Sequence, residues 1–146
     1  MKTLTKAFAG SVAAATLSLG LATGTASAAP AGERSTTVPY SVQHAGGYTT
    51  GNVVFHDRSI QFTNGYVKSN THGCVRALIE TPNPGGGYSE HKRTACNIGP
   101  GTGLNYGFTT PYDKAGGANH VFVNLYRVNG DGTETFLAYK MVNKYS

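Results

Sequence analysis

The chain is 146 residues long, carries a formal charge of +5 at neutral pH and is 39% hydrophobic with only 13% charged residues. Its basic residues are scattered singly apart from Lys92-Arg93, with no basic stripe interleaved with aromatics, so nucleic acid is not an expected partner. The length fits a single domain, and two cysteines, five histidines and no tryptophan leave a small chemical inventory.

Lys2 and Lys6 precede a largely apolar run from Phe8 to Leu21, and Ala26-Ser27-Ala28 then leads into Ala29-Pro30. These are the three regions of a secretory signal peptide over residues 1–28. The apolar run is short for a bilayer span and is followed by small residues, so no membrane span is expected after cleavage, and a secreted, extracellular location is. Cleavage after Ala28 leaves 146 − 28 = 118 residues, and losing two lysines takes the basic count from 12 to 10 against 7 acids, about +3. Such mild charge describes a solvated surface with at most a weak preference for anionic polymers.

Residues 29–35 are small and polar and read as a flexible leader. From Thr36 onward β-branched and aromatic residues are broken by Gly, Pro, Asn and Asp, and no segment sustains a helical period. Thr37 to Gln43 reads as a first strand, confined to an edge by Pro39, and Ala45-Gly46-Gly47 turns the chain. Asn52 to His56 and Ser59 to Thr63 follow as consecutive strands around Asp57-Arg58, the second placing Ile60, Phe62 and Tyr66 on one face. Asn64-Gly65 tolerates positive φ and marks either a bulge or a tight turn.

After a polar loop from Ser69 to Gly73, Val75, Ala77 and Ile79 alternate against Arg76 and Glu80 as a half-buried strand that ends in Pro82-Asn83-Pro84-Gly85-Gly86-Gly87. The return strand, Tyr88 to Cys96, is polar enough to belong at a sheet edge. Centring this hairpin on Gly85 pairs residues whose numbers sum to 170, which sets Cys74 opposite Cys96 but also Glu80 opposite Glu90, an unfavourable pair that leaves the register open. Beyond the Gly99–Gly103 loop, Leu104, Tyr106, Phe108 and Thr110 alternate as an inward face. Val121 to Tyr126 is apolar on both sides, as a central strand is, and Asn129-Gly130-Asp131-Gly132 turns it back into Thr135 to Val142. Seven or eight short strands without a helix predict an all-β fold over 36–146: a single two-sheet antiparallel sandwich, immunoglobulin-like or related, with one disulfide.

Cys74 supports two readings. Paired with Cys96 it closes a loop of 96 − 74 = 22 residues in an oxidising compartment, where two cysteines in a small domain most often join. Unpaired, it is a nucleophile with His72 and His56 as acid/base partners. His56, fourteen intervening residues and then Thr71-His72-Gly73-Cys74-Val75-Arg76 resembles the active-site signature of the L,D-transpeptidases, which cross-link peptidoglycan through a cysteine acyl-enzyme. That resemblance implies Cys74 as nucleophile, His72 as the base lowering its pKa, and His56 and Arg76 as shaping residues. The context departs from that family in having little chain before His56 and the most apolar strands after Arg76. Most of the chain also resembles small secreted β-sandwich proteins of actinobacteria, through Phe55, Gly73-Cys74, Arg93-Thr94-Ala95-Cys96 and Gly116 to Val123; that resemblance implies a fold and a disulfide and no activity.

No metal or other cofactor is expected, because the histidine spacings match no ligand pattern, and no G-x-S-x-G elbow is present. Nine tyrosines remain, of which Tyr48, Tyr88 and Tyr112 in or beside loops are candidates for stacking on a sugar or anchoring a partner. The expected function is a secreted, non-enzymatic binding or surface-structural protein, a monomer, with cell-wall polymer, glycan or an extracellular protein as partner. The alternatives are an L,D-transpeptidase-like enzyme acting on peptidoglycan and a secreted protease inhibitor presenting the Pro82–Gly87 loop.

Overall fold

The computed structural model describes residues 34–97 and 102–145. The expected signal peptide over 1–28 lies outside the described residues, as do all but the last two residues of the expected leader and most of the Gly99–Gly103 loop. Eight strands follow in chain order: β1 (Thr36–His44), β2 (Gly47–Phe55), β3 (Ser59–Ser69), β4 (Gly73–Pro82), β5 (Tyr88–Asn97), β6 (Gly103–Pro111), β7 (His120–Val128) and β8 (Glu134–Asn143). They form two antiparallel four-stranded sheets, a front sheet ordered β1-β2-β3-β6 and a back sheet ordered β5-β4-β7-β8. The chain completes a three-strand meander before it first changes sheet. Immunoglobulin domains instead split their sheets as ABED and CFG, so this two-sheet sandwich has its own strand order.

The inner faces meet in one core built on Val53, Phe55, Ile60, Phe62, Val67, Ile79, Val121, Val123 and Leu125, each no more than 1% exposed. Full burial of such side chains contributes about 1.5–3 kcal/mol each. The strands alternate as the period of two requires. In β2 the pattern from Gly47 is buried at every second residue until Gly51, and in β4 Val75, Ala77, Ile79 and Thr81 all point inward.

Edges carry the expected protection. β1 is an edge and holds Pro39; β5 is an edge and holds the charged run from Glu90 to Arg93. The β4–β5 hairpin has the register that sums to 170 throughout, from Gly73 opposite Asn97 to Pro82 opposite Tyr88. It is closed by Asn83, whose N–H donates to Gly87 O at 3.0 Å and whose carbonyl accepts from Gly86 N at 3.0 Å, with Gly86 and Gly87 at positive φ.

Three details differ from the reading of the sequence. β2 begins at Gly47, not Asn52, because Gly51 is no breaker: a Cβ there would lie 2.6 Å from the Tyr40 hydroxyl, so glycine admits that ring from β1. Asn64-Gly65 is a bulge within β3, with Asn64 at φ 53°, and the extra residue changes which side chains face the core. Gly65, Val67 and Ser69 turn inward, so Tyr66 points out of the face that Ile60 and Phe62 share. Leu104 sits opposite buried Val67 but remains 39% exposed, because it lies toward one end of the edge strand β6.

Candidate functional site

Cys74 and Cys96 are joined by a disulfide between directly opposed positions of β4 and β5, and there is no free cysteine among the described residues. A sulfur held in that bond is no nucleophile. The histidines named with it are not assembled around it. Gly47 pairs with Ser69 and Phe55 with Ile60, so His56 lies beyond the Ser59 end of β3, while Cys74 follows the Ser69 end. An eleven-residue strand separates the two ends, about 35 Å. His72 is exposed in the loop before β4. Arg76 is committed elsewhere: its Nε donates to Thr94 Oγ1 at 2.8 Å and its guanidinium pairs with Glu134 on β8. The acid/base cluster that the cysteine motif implies is therefore not formed in this structure.

Among the described residues no group of three or more His, Cys, Asp or Glu converges as a metal site. No described helix is long and apolar enough to cross a membrane. The three candidate tyrosines separate. Tyr48 lies on the outer side of the front sheet with its ring 5.9 Å from that of Tyr66. Tyr112 is half-buried against the core beyond β6. Tyr88 opens β5 and reaches across the back sheet to Phe122, 5.7 Å between ring centres.

Tyr88 leads to the feature that folding alone does not account for. In a sandwich one face of each strand packs on the core and the other is normally polar. The outer face of the back sheet is instead rich in large apolar side chains, with Tyr88, Phe136, Tyr139 and Met141 exposed by 47%, 52%, 62% and 45%. Register explains how they meet. Across β7 and β8, Phe122 stands opposite Met141, Asn124 opposite Tyr139 and Tyr126 opposite Phe136, all on the solvent side. The Phe136 ring lies 5.5 Å from that of Tyr126 and 6.2 Å from that of Tyr139. A bulge in β8 at Leu137 makes this possible: Leu137 and Ala138 both pack on the core, which leaves Phe136 and Tyr139 both facing outward although three positions apart.

Polar groups are set within this aromatic arc. Asn124, only 7% exposed, donates from Nδ2 to Glu80 Oε2 at 2.7 Å. Two ion pairs flank the face, Arg76 with Glu134 and Lys92 with Glu90. Desolvation, followed by the negative charge of Glu80, Glu134 and Glu90, pushes the Tyr126 hydroxyl above the usual phenol pKa. It therefore stays protonated and able to donate at any physiological pH.

Chemically the face offers π surfaces, phenol hydroxyls and a carboxylate-amide pair on a rigid sheet, which is equipment for binding. Of the tyrosines singled out in the sequence only Tyr88 belongs to it. Phe122, Tyr126, Phe136, Tyr139 and Met141 lie on strands and read as core; the usable signal was an antiparallel strand pair, β7 and β8, apolar on both sides. No protein-family model matches the chain, and no curated protein or solved structure is significantly similar to it.

Proposed function

We propose that the protein is a secreted, non-enzymatic binding domain that holds a cell-wall polysaccharide against the outer face of the back sheet. The observation that carries this reading is the aromatic arc from Tyr88 and Phe122 to Tyr139, Phe136 and Tyr126, exposed on a four-stranded sheet. Flat sugar rings present an apolar face edged by hydroxyls, and that combination suits phenyl and phenol rings interleaved with donors and acceptors such as Tyr126, Asn124 and Glu80. Exposed apolar patches rimmed by polar and charged side chains mark interaction sites. The disulfide and the leader-like residues 1–28 support an extracellular setting, in which a wall polymer is an accessible partner.

The test is retention of the purified domain on insoluble cell wall and on isolated wall polysaccharides, beside a variant carrying Phe136→Ser and Tyr139→Ser. The reading expects retention of the parent protein and a loss of at least about tenfold in the variant, the equivalent of ~1.4 kcal/mol. Equal retention of the two, or capture only by wall-associated protein, would overturn it.

A further inference from the structure

A second site lies on another part of the domain, where β5 and β6, edge strands of opposite sheets, face each other across the open side of the sandwich. The inward positions of β5 are His91, Arg93 and Ala95, opposite Ile79, Ala77 and Val75 of β4. Between them and β6 is a cleft of about 190 Å³ walled by Ile79, Tyr106 and Phe108, with His91, Lys92 and Arg93 at its polar side. Its aromatic wall is rigid. Phe108 is stacked between Phe62, 4.7 Å away, and the His91 ring, 3.9 Å away. His91 Nε2 is hydrogen-bonded to Thr110 Oγ1 at 2.9 Å, which ties the two edges together, and the Tyr106 hydroxyl is fixed by Tyr40 and Thr49 at 2.5 Å and 2.6 Å.

The cations differ in their commitments. Lys92 is held by Glu90 at 2.9 Å, whereas Arg93 makes no hydrogen bond or ion pair with any described residue. A guanidinium presents a planar fork that matches a carboxylate in two parallel hydrogen bonds. Burial holds the His91 imidazole below its usual pKa, so at neutral pH that side of the cleft is an uncharged ring and Arg93 supplies its uncompensated charge.

We infer that the β5–β6 cleft is a binding site for a small aromatic carboxylate, its ring against Tyr106 and the edge of Phe108 and its carboxylate on the Arg93 guanidinium. The site shares only Lys92 with the rim of the aromatic outer face, and neither reading requires the other.

Titration of the full folded domain with benzoate, followed by amide chemical shifts, tests it. The expected result is saturable shifts centred on Arg93, Gly107 and Phe108 with a dissociation constant on the order of 1 mM. Acetate, without the ring, and benzamidine, with the charge reversed, are each expected to bind at least about tenfold more weakly. Arg93→Gln alters an exposed side chain and should abolish the benzoate response while preserving the spectrum of the fold; Lys140→Gln on β8 should leave the response unchanged. Non-saturable shifts, equal binding of benzamidine, or an unaltered benzoate response in Arg93→Gln would each overturn the assignment.

Discussion

Glu80 and Glu90 stand directly opposite each other on β4 and β5, and each is bound by a different neighbour. Asn124 Nδ2 reaches Glu80 Oε2 from β7 at 2.7 Å, while Lys92 Nζ holds Glu90 Oε2 at 2.9 Å from within β5. Opposed like charges weaken a strand pair, and these two donors are what makes the register tolerable. Lys92 is exposed and its role can pass to solvent, but Asn124 is 7% exposed and its role cannot. Asn124→Ala is expected to cost about 1–3 kcal/mol, since it leaves a half-buried carboxylate without its donor. Urea denaturation measures this, and adding Glu80→Gln should restore part of the loss by removing the repulsion. An unchanged midpoint in Asn124→Ala would show that the repulsion is already relieved by water.

The same hairpin shows how far the residue order reached. Centring the turn on Gly85 aligns the two cysteines and gives the register the hairpin adopts, but the residue order alone leaves that register open, because it also opposes Glu80 and Glu90. That like-charge clash is relieved by Asn124, a residue 44 positions from Glu80 in the chain, and no local reading contains it. Faces were harder than strands. One extra residue at Asn64-Gly65 turned Tyr66 outward, and another at Leu137 turned Phe136 and Tyr139 outward together, because each bulge resets a period of two. The exposed aromatic face depends on the second of these bulges, so proximity to turns points to Tyr48, Tyr88 and Tyr112 while the strand aromatics read as core.

The Cys74–Cys96 bond closes 22 residues, and the chain-entropy model gives about 3 kcal/mol for a loop of that length. Cys96→Ser, or reduction of the parent protein, is therefore expected to lower the unfolding free energy by about 2–4 kcal/mol. Intact mass of the unreduced protein after alkylation should show no added label. Two labels on the folded protein would remove the bridge and reopen the question of Cys74 as a nucleophile.

Gly65 tests the front-sheet bulge. A Cβ placed there would collide with the Tyr106 ring and lie 2.6 Å from the Tyr106 carbonyl oxygen, so part of the obstacle is backbone that cannot rotate aside. Gly65→Ala is expected to destabilise by about 1–3 kcal/mol through overpacking. Gly85→Ala is its control, since a Cβ at Gly85 meets nothing within 4 Å and its φ is ordinary. Equal midpoints for the two variants in thermal or urea unfolding would contradict the tight approach of β3 and β6 at this point.

Tyr40 and Tyr106 give the domain an alkaline limit. Their hydroxyls lie 2.5 Å apart, Tyr106 also meets Thr49 Oγ1 at 2.6 Å, and Thr49 Oγ1 donates its own proton to the Tyr66 carbonyl at 3.0 Å. Burial, reinforced for Tyr40 by the neighbouring phenol, raises both pKa values above that of free tyrosine. Below about pH 10 both states keep these protons and the pair adds no pH dependence. Above it the unfolded chain releases them while the folded chain retains them, so stability falls as pH rises, by up to about 1.4 kcal/mol per pH unit for each phenol. Tyr106→Phe removes one of the two phenols. At neutral pH the variant is expected to lose about 1–2 kcal/mol, because Tyr40 and Thr49 lose a shared partner, but its decline between pH 10 and 11 should be shallower than that of the parent. Lysine titration and the exposed tyrosines act equally on both proteins, so the difference in slope isolates the buried pair. Parallel declines in urea unfolding across that range would mean that Tyr106 ionises as readily in the fold as out of it.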